Sequence, residues 1–341
     1  MRRSFVCWSV ATAAALGLAQ SALAGPTLDA VKGRGKLICG AHGNRIGFSA
    51  LDSQGQWKGM DVELCRAIAA AVVGDANKTQ SLATTPQTRF TVLQTGEVDV
   101  VIANATWTLS RDAKLGVDFL TPTFYDGQGF MVSRKLGVKS VKDLNGATVC
   151  VLPGTTSEKI AVDVARANNI TFNMVLIENQ KELNTAFFGG RCDAHVQTTS
   201  GLAANRLAAA TEADEYIILP NVYGKDPMGP VVRQGDPQWR DIVNWVIFAM
   251  FEAEERDITS KNVDEMLNSN DDNIQRLLGV KGDLGKDLGL DNQWAYRIIK
   301  YVGNYGEVFA RNLGKDSPMK MERGLNSLWT RGGLLYSPPF N

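Results

Sequence analysis

Histidine is scarce in this sequence, and neither sign of charge is in excess. There are 2 His residues among 341, and 36 Lys+Arg residues balance 36 Asp+Glu residues. Basic residues form no run, so the chain lacks the positive patch with which proteins bind nucleic acid. A CxxC pair is also missing, and two histidines are too few for the usual zinc ligand sets. We therefore expect neither a nucleic-acid partner nor a metal or other cofactor.

Long apolar runs are missing after the N-terminal region. The nearest approach, residues 239–251, is interrupted by charged and polar side chains. The chain begins with two arginines after Met1, followed by an apolar stretch at 8–18 and Ala-Leu-Ala at 22–24. That stretch is shorter than the roughly 20 residues of a spanning helix, and the small-x-small motif is typical of signal-peptide cleavage. Residues 1–24 are therefore interpreted as a secretion signal, and because no lipid-accepting cysteine follows, we expect a soluble periplasmic protein.

Cysteines are few, and their number is even once this signal is removed. Cys39, Cys65, Cys150 and Cys192 remain, one pair near the start of the chain and one pair near its middle. An even count in an oxidising compartment favours disulfides, and four cysteines allow three connectivities. Proximity in sequence favours the pairs 39–65 and 150–192, with four buried free thiols as the alternative.

Strand-like and helix-like segments alternate along the first part of the chain. They are a strand at 36–41, a helix capped by Asp61 and ended by Gly74, a strand at 81–84, a helix at 87–94 and an apolar strand at 98–103. This order predicts a mostly parallel sheet flanked by helices.

The same alternation restarts further along the chain. It predicts strands at 147–152, 173–177 and 193–198, and helices at 155–167, 181–188 and from about 200. Two extended, glycine-containing joints, 124–133 and 228–233, are typical of a two-strand hinge. A long amphipathic helix over 238–254 and a helical tail follow, and we expect that tail to pack on the first lobe.

The predicted fold is therefore α/β with two lobes. Lobe 1 is expected to take residues 25–128 and 229–341, and lobe 2 residues 129–228. The roughly 317 residues after the signal are enough for two lobes of ordinary size.

Two anion-friendly elements lie in different lobes. Arg111 closes the segment TWTLSR, which begins at Thr106 after a buried-looking strand. Residues 154–157, GTTS, precede a helix. Guanidinium binds carboxylates in a bidentate manner, and a helix N-terminus attracts anions. The pair suggests a clamp that captures a small anionic or zwitterionic solute, although a surface arginine and a simple helix cap are the structural alternatives.

Together these segments resemble a known family, the periplasmic solute-binding proteins of polar amino-acid ABC transporters, and within it the general L-amino-acid-binding subgroup. The resemblance covers essentially the whole mature chain. The matching stretches are GFS at 47–49, residues 61–71 with Cys65, RFT at 89–91, 106–112, 124–132, 229–236, GNYGE at 303–307 and 324–333.

The resemblance implies a type II-like two-lobe fold that closes over its solute, and both favoured disulfides fit it. It also implies delivery to a membrane permease by a protein that is not an enzyme, and we expect a monomer. Arg111 would hold the ligand's α-carboxylate, assisted by Thr106 from lobe 1 and Thr156 from lobe 2. Arg89 would face the side chain, as in relatives selective for acidic amino acids, unless it is a solvated helix residue. Neighbouring Asn104 and Thr155 complete the expected site.

The departures from the family pattern concern charge. The amine-binding aspartate of the family falls at Thr198, which cannot ionise, and Asp193 starts the same strand too far back to substitute. Ala103 stands where the subgroup usually has arginine. Conversely, Arg45 lies in the loop that normally covers the ligand with an apolar residue, and His42 is close by; Arg45 pointing to solvent is the alternative. We hypothesise that the ligand lacks an α-amine and carries more than one anionic group.

A transport binding protein is the leading prediction, and two other classes remain open. A periplasmic enzyme resembling cyclohexadienyl dehydratases would need a buried general acid or base near the clamp, where His42 is the only nearby histidine. A sensor that binds solute for signalling is the third. Within the leading class, amine-free di- or tricarboxylates are the alternative cargo.

Overall fold

The computed structural model describes residues 25–341, without the side chains of residues 210–212, so the expected signal at 1–24 lies outside the described residues. The strands are β1 Leu37–Ala41, β2 Asn44–Arg45, β3 Ser49–Leu51, β4 Trp57–Lys58, β5 Thr79–Ala83, β6 Val100–Val101, β7 Val117–Phe119, β8 Phe124–Ser133, β9 Thr148–Val151, β10 Asn173–Leu176, β11 Ala194–Thr198, β12 Tyr216–Ile218, β13 Tyr223–Met228 and β14 Val231–Arg233.

The helices lie between and after these strands. They are α1 Pro26–Arg34, α2 Met60–Val73, α3 Arg89–Gln94, α4 Leu109–Lys114, α5 Thr156–Ala167, α6 Gln180–Phe188, α7 Thr199–Ala208, α8 Pro237–Glu255, α9 Val263–Met266, α10 Asp272–Leu277, α11 Leu284–Asp287, α12 Trp294–Tyr301 and α13 Tyr305–Asn312. In the described part of the chain, no helix is long and apolar enough to cross a membrane.

Two larger sheets form the two lobes, and in each of them a single strand runs against strands that are otherwise parallel, as predicted. In the first, ordered β5-β1-β6-β14-β7, the pairs β5–β1 and β1–β6 are parallel and β14 runs against both neighbours. In the second, ordered β10-β9-β11-β8-β12, β8 runs antiparallel to β11, β12 and β13. The strand that crosses into each lobe enters the sheet from the C-terminal ends of its parallel strands. It therefore runs in the opposite direction to them.

The strand expected at 98–103 is shorter in the structure, where β6 covers only Val100–Val101. The carboxylate of Asp99, rather than a backbone carbonyl, accepts the N–H of Ile38 at 2.8 Å. This side-chain bond ends the regular ladder with β1. The periodicity of the apolar residues gave no sign of the interruption.

Helix α2 does not begin with Asp61 as its cap. The residue before the helix is Gly59, whose φ of +126° suits glycine alone, and a Cβ there would lie 2.2 Å from the carbonyl oxygen of Phe48. Asp61 instead lies buried in the first turn, and burial raises the pKa of its carboxyl to about 7. Gly74 ends the helix in the left-handed conformation, as expected.

Each lobe contains one disulfide. Cys39 on β1 is bonded to Cys65 on α2, with the Cα atoms 6.5 Å apart. Cys150 on β9 is bonded to Cys192 just before β11, with the Cα atoms 5.7 Å apart. Both are the pairs that proximity in sequence favoured, and each joins elements within a single lobe.

The C-terminal tail packs on lobe 1 and also reaches the hinge. Arg297 on α12 donates to the carbonyl of Ala70 at the end of α2 at 3.0 Å. Further on, the Asn326 side chain accepts the N–H of Tyr125 at 2.6 Å and donates to its carbonyl at 3.1 Å. The Tyr305 hydroxyl donates to the carbonyl of Thr123 at 2.6 Å. The tail therefore fixes the start of β8, the outward strand of the hinge.

Candidate functional site

A small cavity lies between the two lobes. It encloses about 30 Å³, which is room for about one water molecule. The lobes are therefore closed on each other, and a solute could enter only if they separate. The lining residues are His42, Arg45, Pro86, Arg89, Asn104, Thr106, Leu152, Thr155, Thr156, Ser157, Val196, Gln197 and Thr198. Every residue expected to bind the ligand is among them except Arg111.

The lobe 1 wall of this cavity is positively charged. Arg45 and Arg89 are 8% and 5% exposed, and burial lowers the pKa of both guanidinium groups. Arg89 donates to the carbonyl of Ala103 at 3.1 Å, while its Nε has no hydrogen-bond partner among the described residues. Its neighbouring charges are the cations Arg111 and Arg45, which lower its pKa further. The Arg89 charge is thus buried without an anionic partner, although such charges are ordinarily paired.

Arg111 lies at the rim of the cavity and joins the two lobes. Thr108 caps α4, and its hydroxyl accepts the N–H of Arg111 at 3.3 Å. The guanidinium donates to the carbonyl of Thr106 at 2.9 Å and, across the cleft, to that of Gly154 at 3.3 Å. It also lies over the Phe90 ring, 5.6 Å from the centroid. These carbonyls hold the side chain where a carboxylate could take their place.

The lobe 2 wall is uncharged. Thr155 caps α5 by accepting the N–H of Glu158 at 3.3 Å, so its hydroxyl has a structural role. The next hydroxyl, on Thr156, points across the cleft and lies 3.4 Å from that of Thr106. Thr198 caps α7, and its hydroxyl also accepts a hydrogen bond from Arg45 at 3.3 Å. Arg45 therefore faces the cavity and not the solvent.

Sequence reasoning missed a carboxylate that lies behind these threonines. Asp226, on the return strand β13, is 1% exposed. One of its oxygens, Oδ1, accepts from the hydroxyls of Thr106 at 2.7 Å and Thr156 at 3.1 Å. The other, Oδ2, accepts from the Gln128 amide at 2.6 Å, and Gln128 in turn accepts from Ser157 at 2.7 Å. The sequence predicts no strand at 223–228, so it offers no signal that this carboxylate reaches the cleft.

His42 lines the cavity, whereas Asp193 lies outside it. Burial, followed by the nearby Arg45 charge, lowers the pKa of His42 to about 3, so the ring is neutral at ordinary pH. The Asp193 carboxylate accepts the backbone N–H and the hydroxyl of Thr148 at 2.8 and 2.6 Å, which ties β9 to the start of β11. In residues 25–341 no cluster of three or more His, Cys, Asp or Glu is arranged to hold a metal ion.

The arrangement of two α/β lobes around a polar cleft defines a class of protein. Residues 37–263 match the model of the bacterial extracellular solute-binding proteins, family 3. The chain belongs to that family, as predicted, and is the solute-binding component of an ABC transporter.

Its relatives along the full length are periplasmic binding proteins. It is 49% identical to the general L-amino acid-binding periplasmic protein AapJ of Rhizobium johnstonii, over 96% of each chain. It is 48% identical to the glutamate/glutamine/aspartate/asparagine-binding protein BztA of Rhodobacter capsulatus, over 100% of each. Among solved structures, a Brucella ovis ABC transporter periplasmic binding protein with glutathione bound has a TM-score of 0.90 at 47% identity, covering 92% of this chain and 99% of that one. Each of these relatives is named as a binding protein.

Proposed function

We propose that this protein captures an amino acid, or a small molecule built on one, in the periplasm and delivers it to an ABC permease. The proposal is carried by one observation: a wall with buried arginines faces a wall of neutral hydroxyls across a closed cleft. It is supported by AapJ and BztA, whose names specify amino acids, and by the Brucella ovis protein with its glutathione. In this proposal residues 1–24 direct secretion and the mature protein acts as a monomer.

In this proposal lobe 1 consists of residues 25–128 and 229–341, and lobe 2 consists of residues 129–228. The two mixed sheets support this division, because the first draws its strands from 37–119 and 231–233. The joints are β8 on the way out and the β13–β14 segment on the way back.

Capture begins on lobe 1 in the proposed mechanism. In the open form the Arg111 side chain no longer bonds Gly154 and can donate to the ligand's α-carboxylate, with Thr106 beside it. Closure then brings Thr156 and the N-terminus of α5 onto the same carboxylate from lobe 2. Because closure also excludes water, the charge contacts strengthen as the local dielectric constant falls. Ligand binding and lobe closure are coupled in this way.

Arg89 extends the proposal to the ligand's side chain. Its buried guanidinium has no anionic partner among the described residues, and its Nε is free of hydrogen bonds there. A second carboxylate or an amide oxygen on the ligand would satisfy it. Acidic amino acids, their amides and γ-glutamyl peptides meet that requirement. An amine-free dicarboxylate meets it too, and Thr198 favours that second candidate because a threonine cannot neutralise an ammonium group.

Mass spectrometry of the ligand released from gently purified mature protein tests the proposal. Thermal-shift measurements would then compare L-amino acids and glutathione with amine-free di- and tricarboxylates. A ligand at 100 times its dissociation constant adds about 2.7 kcal/mol of stability, which is easily detected. We expect amino acids or glutathione to stabilise the wild type, and the same compounds to stabilise the Arg111→Ala variant far less. Stabilisation by amine-free acids alone would overturn the amino-acid assignment.

A further inference from the structure

We propose that Asp226, on the return strand of the hinge, binds the α-ammonium group of the ligand, and that Asn104 assists it. This inference rests on the proposed function, because it requires a ligand that carries an amine. It also answers the difficulty raised by Thr198, since it finds a carboxylate for the ammonium group on β13, at the hinge end of the lobe 2 sheet.

An ammonium group enclosed in this cleft needs a carboxylate. Removing a partner from a buried ion pair leaves an uncompensated charge and is strongly unfavourable. None of the described residues that line the cavity is Asp or Glu, whereas Arg45 and Arg89 are both in its wall. The partner must therefore come from the residues directly behind the lining.

Asp226 is the buried carboxylate best placed there. Asp126 accepts hydrogen bonds from the hydroxyls of Thr199 and Ser200 at the start of α7, and neither hydroxyl lines the cavity. Asp61 lies in the first turn of α2, with Ser49 as its hydrogen-bonding neighbour. Asp226 alone among these three is bonded to hydroxyls that line the cavity.

The backbone of β13 directs Asp226 towards the cleft. Tyr223 pairs with Gln128 and Asp226 pairs with Asp126, so three steps along β13 match two along β8. In a regular strand, residues three apart point to opposite faces. The register shift between Tyr223 and Asp226 puts one extra residue into β13 and interrupts this alternation. The Asp226 carboxylate accepts hydrogen bonds from Gln128 and Thr156, so it faces the cleft.

Among the described residues Asp226 makes no direct ion pair, although its charge acts at longer range on Arg45 and Arg111. Its three donors, the hydroxyls of Thr106 and Thr156 and the amide of Gln128, are all neutral. No ion pair to Asp226 within 4.0 Å is present in the described part of the chain. Because the two hydroxyls belong to different lobes, separating the lobes breaks at least one bond to Oδ1. The oxygen is then available to an entering ammonium group.

Asn104 provides an independent observation that a donor is missing from the site. It lines the cavity, and its Oδ1 is buried without a hydrogen-bond partner among the described residues. Its backbone has φ +49°, a left-handed conformation that Asn tolerates better than most residues. A buried acceptor without a donor is unfavourable, and a ligand ammonium group with three N–H donors would satisfy both Asn104 and Asp226.

The test compares two probes that differ by the α-ammonium group, L-glutamate and glutarate, by isothermal titration calorimetry. In the Asp226→Asn variant, which keeps the size and accepting oxygen of the side chain, we expect affinity for L-glutamate to fall about 100-fold or more. Affinity for glutarate should stay within about threefold of the wild-type value or rise, by the same charge argument. Asp226→Glu, which keeps the charge, should retain part of the preference for L-glutamate.

Asp126→Asn is the matched control, because it removes a half-buried carboxylate from the facing strand that also acts on Arg45 but bonds none of the described residues lining the cavity. It should leave the ratio of the two affinities unchanged. An equal gain for both probes in Asp226→Asn would overturn the inference and identify Asp226 as an internal anion that competes with the ligand. An equal loss, or no change, would also overturn it. If the wild type binds no amino acid or glutathione, the proposed function itself fails, whereas binding without a change in the ratio defeats only the role of Asp226.

Discussion

The two walls of the cleft differ in kind. Lobe 1 presents the guanidinium groups of Arg45 and Arg89, with Arg111 at the rim, whereas lobe 2 presents the hydroxyls of Thr156 and Thr198. Charges act over several ångströms and keep attracting an anion while the cleft is open. Hydroxyl hydrogen bonds act only within about 3 Å and form only when the lobes meet. We therefore expect the first lobe to select ligands by charge, and the second lobe to select them by shape and hydrogen bonding when the cleft closes.

Removal of Arg111 should cause the largest loss of ligand affinity, because it deletes a charge from the lobe 1 wall. Arg111→Ala deletes the group proposed to hold the α-carboxylate, and truncating one partner of a buried, hydrogen-bonded charge pair costs about 2–5 kcal/mol or more. We expect at least a 30-fold loss of affinity for the natural ligand by calorimetry. Arg240→Ala removes an exposed arginine from α8 and serves as the control. A loss below about threefold, within the range of an exposed ion pair, would remove Arg111 from the site.

Arg89→Leu should lower ligand affinity without lowering the stability of the fold. The variant loses a buried cation that has no anionic partner, so the urea midpoint of unfolding should not fall. Affinity for L-glutamate should drop about 10- to 100-fold, and affinity for L-glutamine should drop less, because a charged acceptor gains more from guanidinium than a neutral one. Equal losses for both ligands would contradict a role in side-chain recognition.

The smallest effect concerns the lobe 2 core, which also excludes positive charge. His195 on β11 is fully buried, and neither ring nitrogen has a partner among the described residues. Burial, and then the charge of Arg45, lowers the pKa of His195 from 6.5 to about 3. As the pH falls below 6.5, the unfolded chain binds the proton first, so this histidine stabilises the fold less and less until the pH reaches about 3.

His195→Leu removes this proton uptake. The unfolding free energy of the variant minus that of the wild type should increase by about 0.7 kcal/mol between pH 7 and pH 6, as measured by urea titration. Subtraction cancels groups common to both proteins, including Asp61. The difference should be constant between pH 8 and pH 9. A constant difference down to pH 6 would show that His195 is protonated in the folded protein.

Much of the fold could be predicted because hydrophobic periodicity is a local property of the sequence. Helices α5 and α6 and strands β9–β11 begin and end within one or two residues of the predicted bounds. The direction of β8 could not be predicted, because a strand's own residues do not reveal which neighbours it joins. The site divides in the same way. Arg111 and Thr156 stand in recognisable motifs, whereas Asp226 lies on β13, where Gly224 and Pro227 interrupt the pattern by which a strand is predicted.

The hold of the C-terminal tail on the hinge determines which atoms move when the cleft opens. Asn326 and Tyr305 bind the backbone at Tyr125 on β8 and at Thr123 just before it, and this ties that segment to lobe 1. In the proposed opening of the cleft we therefore expect the rotation of lobe 2 to begin beyond Tyr125. Displacement grows with distance from the axis of a rotation, and Asp226 pairs with the residue that follows Tyr125. We expect the Asp226 carboxylate to move little while the walls of the cleft separate, so that it needs little rearrangement to bind a solute.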